Sequence, residues 1–413
     1  MKISKSVKLL GTMLVCASFL AACGKSTDSA KESKEILLWS STTGPDGEKI
    51  KKTIDNYNAT KQTYKVKIVS MQADTFNSKL TTAGKTGKGV PDLALVASEA
   101  LPSYQKKGML ENWDSLIKGT DLNEDKYVKA AWETGQVDKK QYGIPATMGS
   151  WVMYYNQDLV DKYAPGATDD GVVTYEEIEA AGAKAKADGI YSYGYTWGMQ
   201  NYSNLYLQMG GEWLTDKKLN INNDYSYKAV GEFKKLFDAG YMVPDGEDAN
   251  KLFVNQKLIF LPEGTWMLSN MQKITDFKWG ETFTPQWDAN HIVQGSGVDQ
   301  FAMFKTKTKR SEDKQKGMVD FLTWLQSNQL EWIKSGANPT ALAMLDNEEY
   351  AKMPQSFLIK TQKGQDSLAI NTQDGLSYVF SEYDKRSWDM ITGKADIKDT
   401  FGEIQQIVDQ KMQ

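Results

Sequence analysis

The sequence predicts an α/β protein built as two domains, and three observations carry that prediction. Between residues 35 and 97, short apolar runs alternate with helical patterns. That order of strand, helix, strand, helix, strand builds a mainly parallel sheet with helices on both faces. The chain has 413 residues, more than the roughly 250–300 at which a single core stops growing. Its thiol and imidazole content is limited to Cys16, Cys23 and His291, so packing rather than disulfides or Cys/His metal sites must hold the body together.

The first residues stand apart from that body. Lys2, Lys5 and Lys8 precede an apolar run from Leu9 to Leu20, which closes on Ala21-Ala22-Cys23-Gly24. A basic start, a short apolar segment and small residues at a cut site make a secretory signal. The run falls short of the ~20 residues that a membrane-spanning helix needs. Leu20-Ala21-Ala22-Cys23 resembles the lipobox of bacterial lipoproteins. The resemblance implies a signal over 1–22, a diacylglyceryl thioether on Cys23, and a body tethered outside the cell to a membrane it does not cross. Two acyl chains are what stable anchoring takes.

Removing residues 1–22 leaves 391 and moves the formal net charge from −4 to −7, because three lysines leave with them. Cys16 leaves too, and Cys23 is spent on lipid, so no disulfide is expected. No block of Lys and Arg of the kind that binds nucleic acid is present. Residues 23–34 are polar and small, and read as a lipidated cysteine with a flexible leash reaching roughly 18 Å.

The elements follow in order. Ile36–Trp39 is a short apolar run and reads as a buried strand. Ser40 to Pro45 turn into a helix whose Ile50, Ile54 and Tyr57 share one face. Tyr64, Val66 and Ile68 alternate with lysines, a half-buried strand. Pro91–Val96 is a further buried strand, ending at Ala97-Ser98-Glu99. In such sheets ligands sit beyond the carboxyl ends of the strands, here Trp39–Thr43 and Ala97–Glu99. Thr174-Tyr175-Glu176-Glu177 is a capping box opening a helix through Ala187. Phe253 and Ile259–Leu261 lead into Gly264-Thr265-Trp266. Met318, Phe321, Leu322 and Leu325 lie on one helical face, as do Ile397, Phe401, Ile404 and Val408.

Several of these pieces recur together in one class: Trp39 after a strand, Pro91-Asp92 opening one, Lys107–Asn112, Tyr142-Gly143-Ile144-Pro145, Tyr154–Leu159 and Gly264-Thr265-Trp266. As an ordered set behind a lipobox they resemble the extracellular sugar-binding proteins of ATP-driven importers, the group that includes maltodextrin-binding protein. The resemblance implies a two-lobed solute-binding fold, each lobe a mainly parallel sheet flanked by helices, joined by a hinge the chain crosses several times. The crossings are expected near 142–147, 284–297 and 335–339. The N-terminal lobe is then 36–143 plus 290–335, and the C-terminal lobe 147–285 plus 340–413.

Candidate site residues come from both arguments. A pyranose offers an apolar C–H face to an aromatic ring and a hydroxyl rim to Asp, Glu, Asn and Gln; ligand sites combine apolar walls with a few placed polar groups in this way. Trp39, Trp197, Trp213, Trp266 and Trp287 each border a predicted strand end, a Gly-rich turn or a crossing. Trp324 and Trp332 belong to the core. The resemblance adds Glu99, the Gln200-Asn201-Tyr202 loop and Phe380 of the C-terminal region as ligand-binding positions; Ser41 beyond the first strand and Asp299 after a crossing join them. Near Phe380 the chain lacks the tryptophan of the maltodextrin pattern, which weighs against a maltodextrin ligand and not against a sugar. Asp121-x-Asn123-x-Asp125 lacks the glycine and bidentate glutamate of a calcium loop and reads as helix-start chemistry.

The function these expectations support is capture of a sugar, an oligosaccharide above all, by a monomer that delivers it to an ABC permease. No catalytic residue, metal or cofactor is expected. The alternatives are a lipid-anchored glycoside hydrolase using two carboxylates, a binding protein for a non-sugar solute, and a surface adhesin.

Overall fold

The computed structural model describes residues 33–413; the signal and the Cys23 expectation lie outside the described residues. The expected alternation appears at once. Strand β1 (Glu35–Ser40), helix α1 (Gly44–Ala59), β2 (Lys65–Ser70), α2 (Ala73–Thr86) and β3 (Leu93–Ala97) follow in order, and β1 pairs in parallel with both β2 and β3. Ile50, Ile54 and Tyr57 of α1 are buried against Ile36 and Leu38, as their spacing requires.

Further along come β4 (Leu110–Glu111), β5 (Gly143–Asn156), α3 (Tyr175–Ala185), β6 (Tyr191–Tyr193), α4 (Gly198–Gln208), α5 (Asp224–Asp238), β7 (Leu258–Gly264), β8 (Trp279–Phe283) and β9 (Gln294–Phe304). The chain ends through α6 (Glu312–Leu325), β10 (Asn338–Pro339), β11 (Leu368–Ile370), α7 (Leu376–Asp384) and α8 (Ile397–Met412). The capping box at α3 forms: Thr174 accepts from the Glu177 amide while Glu177 takes the Thr174 amide.

One mixed sheet runs β2-β1-β3-β9-β5-β7-β6. Its parallel character is confined to β1–β3, to β6 beside β7, and to β11 beside β9. The long strands β5 and β9 run antiparallel to each other and to β7 and β3 beside them. The stretch near 142–147, where a crossing is expected, is strand from Gly143 onward. Gly143 and Pro145 lie inside a continuous strand whose first half pairs β9 and whose second half pairs β7 and β8. Both of its faces are covered, so it is buried almost throughout.

Two cores flank this shared centre. One holds Ile36, Tyr57, Leu95, Phe301 and Phe321, the other Met153, Tyr202, Phe233, Phe260 and Phe401. A third cluster, with Met148, Val152, Val298 and Ile333, lies along β5 and β9. Several residues that carried the family resemblance serve this framework. Asp92 accepts from the Leu37 amide and from Arg310, and buried Arg310 also reaches Glu111, Pro91 O and Phe304 O. A buried guanidinium needs that many partners to offset its lost hydration. Asn156 caps the helix that follows β5 by accepting from Leu159 N.

Candidate functional site

The carboxyl end of β3 opens on a cavity of about 650 Å³. After β3 the turn Ser98–Ala100 presents Glu99. Strand β9 runs alongside and pairs Asp299 with Ala97. On its other edge its register with β5 breaks between Val298 and Gln300, and Gln300 is the partner of Pro145. Proline cannot donate a ladder hydrogen bond, and a bulge re-aims the side chain it carries. Asp299, at this break, lines the cavity.

The opposite wall comes from the second half. The first turn of α4 supplies Met199 and Gln200, and α7 supplies Ser377, Phe380 and Asp384. Between the two walls, Gly149 and Trp151 of β5 and Trp266 beyond β7 form the floor. Trp266 meets Trp151 edge to face, with centroids 4.6 Å apart. Trp197 packs on both, at 5.5 Å from Trp151 and 5.9 Å from Trp266. Gly149-Ser150-Trp151 repeats the spacing of Gly264-Thr265-Trp266, and the register pairs Gly264 with Trp151. Only glycine fits at 264, because a Cβ there would fall inside the Trp266 indole.

Trp197 itself sits at φ +46°, in the left-handed region that a bulky residue rarely adopts. Its neighbours hold it there. Thr196 donates to Pro262 O, the Asn201 amide donates to Thr196 O, and the Trp197 indole donates to Glu263. Such over-determined strain gathers at ligand sites.

The electrostatics are one-sided. Glu99, Asp299 and Asp384 line the cavity, and among the described residues no lysine, arginine or histidine does. Burial pushes the Asp299 carboxyl up to about 7, and the charges of Glu99 and Asp46 push the same way. Burial raises Glu99 as well, and lifts Asp46 on the first turn of α1 to about 6. Asp384 is raised by burial, against the hydrogen bond it accepts from Met199 N. Among the described residues no cluster of acids, histidines or cysteines has the arrangement of a metal site.

Of the residues expected from sequence, the structure brings Glu99, Gln200, Trp266, Asp299 and Phe380 together around this cavity, with Trp197 packed on its floor. The others lie elsewhere. Tyr202 is fully buried, stacked on Tyr383 at 4.3 Å, with its hydroxyl on Ser226. Asn201 is buried and bonds Tyr193 and the 196–197 loop. Both are on α4, where residues 201 and 202 turn inward while Gln200 faces the cavity. Trp213 is a core residue standing behind Phe380, 5.7 Å from it, with its indole on Asn371. Trp39 packs with Phe76, Leu80 and Val96 in the first half, and neither it nor Ser41 lines the cavity. Trp287 is exposed and lines a separate, smaller pocket with Met209 and Tyr225. Sequence reasoning missed Trp151, Asn371 and Asp384. For Trp151 a signal existed, the Gly-x-Trp spacing it shares with Trp266; for the other two there was none. The Asp121–Asp125 stretch does helix-start work, with Asn123 accepting from Asp125 N.

The sequence profile described as "Bacterial extracellular solute-binding protein" matches residues 52–357. The galactooligosaccharide-binding protein of Bacillus subtilis is 22% identical, over 97% of this chain and 96% of that one. The maltooligosaccharide ABC transporter solute-binding lipoprotein of Streptococcus pneumoniae is 26% identical, over 96% and 95%. Among solved structures, the cyclic α-maltosyl-1,6-maltose binding protein of Arthrobacter globiformis superposes with a TM-score of 0.74 at 20% identity, covering 91% of this chain and 97% of that one. That likeness is one of fold.

Proposed function

The chain belongs to the bacterial extracellular solute-binding proteins, and from that premise we propose that it captures an oligosaccharide in the 650 Å³ cavity and hands it to an ABC permease. The observation that carries this reading is the pairing of a tryptophan floor with carboxylates and an amide from both halves. In this reading Trp151, Trp266 and Phe380 cover the apolar faces of successive sugar rings. Glu99, Asp299, Gln200 and Asp384 take the hydroxyl rim. The names of the B. subtilis and S. pneumoniae relatives support an oligosaccharide.

The mechanism is closure. A sugar touching both walls binds the closed arrangement better than the open one and shifts the population by that differential affinity. The permease then reads the closed form. Calorimetry and melting curves over neutral mono- and oligosaccharides test the reading: saturation at 100 times the dissociation constant raises stability by about 2.7 kcal/mol. Small-angle scattering should show the particle shrink on binding. Failure of every sugar to bind would sink the proposal, and release of cleaved product would move it to a hydrolase.

The working place follows from the N-terminus. No helix among the described residues is long and apolar enough to cross a membrane. The lipobox at Leu20–Cys23 supports lipid attachment at Cys23, with the monomeric body held at the outer face of the membrane. Cys23→Ala should release the protein or leave the precursor uncut; a mature, membrane-bound mutant would refute the anchor.

A further inference from the structure

The charge of the cavity narrows its ligand class, on the reading of that cavity as a sugar site. Its lining carries three carboxyl groups, Glu99, Asp299 and Asp384, and, among the described residues, no basic side chain. A fourth acid, Asp46, acts on Asp299 through space. The aromatic walls do not compensate. The faces of Trp151, Trp266 and Phe380 carry the negative side of the ring quadrupole, which attracts C–H groups and cations and repels anions.

A helix N-terminus is a further device for holding an anion, and both α4 and α7 start at this cavity. At α4, Met199 N donates to Asp384 at 2.8 Å and Gln200 N bonds Trp197 O; at α7, Leu376 N bonds Gln373 O and Tyr378 N bonds Gly375 O. The backbone of β9 offers little more. Gly295 N donates to the buried Asn204 side chain at 2.8 Å, while Ser296 and Gly297 sit in the ladder opposite Ser150 and Gly149.

We infer that the cavity takes glycans free of negative charge and rejects their acidic counterparts, those bearing uronate, sulfate or phosphate. A carboxylate accepts from a sugar hydroxyl as readily as any acceptor, so neutral rings lose nothing by this arrangement. Above pH 7, where the Asp299 carboxyl gives up its proton, an anionic ring meets like charge on both walls, in a space where water screens it poorly.

The test titrates the full mature chain with maltotriose, 1,4-galactotriose and 1,5-arabinotriose, following tryptophan fluorescence. The sugar that binds is then compared with its own mono-carboxylate form, made by oxidising one primary alcohol. The acidic form should bind roughly tenfold or more weaker, as like-charge juxtaposition requires. Asp299→Asn and Glu99→Gln, each checked by a melting curve, should narrow that ratio whatever they do to the neutral sugar. Equal binding of the acidic form, or a ratio untouched in both variants, overturns the charge selection and leaves the sugar reading standing. No binding of any of the three sugars overturns the sugar reading and this inference with it.

Discussion

The indole N–H of Trp197 donates to Oε2 of Glu263 at 2.8 Å, tying an exposed ring on one loop to a buried carboxylate on β7. Glu263 has two further donors: Gly264 N on the same oxygen and the Asn250 amide on the other. Burial raises its carboxyl above the ordinary range, and these three hydrogen bonds pull the other way. The carboxylate thereby fixes a left-handed tryptophan that backs Trp151 and Trp266.

Glu263→Ala should leave the buried Gly264 N–H unpaired, at ~1–3 kcal/mol if unrelieved, and release the part-buried Trp197 and Asn250 donors. It should lower the melting temperature and weaken sugar binding together. Glu263→Gln should retain most of both. Its oxygen can serve Trp197 and Gly264, and the Asn250 amide, whose own oxygen has no partner, can turn to accept. Equal damage from the two variants would show that Glu263 does not act through these bonds.

Trp266 is half-buried on the cavity floor. Trp266→Ala should cost about 2 kcal/mol of binding, roughly a thirtyfold rise in dissociation constant. Folding should suffer less than the ~3–5 kcal/mol of a truncated core aromatic. Gly264→Ala should reproduce part of the affinity loss with the indole still present, because the added methyl displaces the ring. Calorimetry beside melting curves separates these cases, and near-normal affinity with a large stability loss would return Trp266 to the core.

Tyr202 should behave in the opposite sense. Tyr202→Ala removes a fully buried ring stacked on Tyr383 and should cost ~3–5 kcal/mol of stability. Tyr202→Phe forfeits only the bond to Ser226, about 1 kcal/mol. For Tyr202→Phe the dissociation constant for the sugar should hold. A large affinity loss in that variant with an unchanged melting curve would make Tyr202 a ligand contact after all.

Glu281 on β8 has both carboxyl oxygens buried without a partner, and burial lifts it from 4.5 to about 8. The folded state therefore holds a proton that the unfolded state releases at lower pH. Its contribution is fully present below pH 4.5 and is lost as pH rises toward 8, at roughly 1.4 kcal/mol per pH unit between. Glu281→Gln cannot ionise, so it should flatten that part of the profile and be the more stable protein at pH 8. Denaturant midpoints for both proteins at pH 5 and pH 8 check this; parallel profiles would show Glu281 already charged in the fold.

What the sequence by itself determined was local. The spacing of Ile50, Ile54 and Tyr57, the alternation at Val66, the box at Thr174 and Glu177 and the face at Phe401, Ile404 and Val408 each follow from periodicity and capping, which neighbours in the chain decide. Trp266 was legible for the same reason, since a glycine two residues before an indole is a local signal. Tertiary structure alone decided which face of α4 turns inward, so Gln200 lines the cavity while Asn201 and Tyr202 do not. It also decided that Gly143 and Pro145 lie inside a strand, since only the register break opposite Pro145 in β9 accommodates a residue with no N–H to give. Asp384 joined the site from 185 residues beyond Met199, whose amide it accepts. No pattern in the chain encodes that contact; it exists because α7 packs against the start of α4.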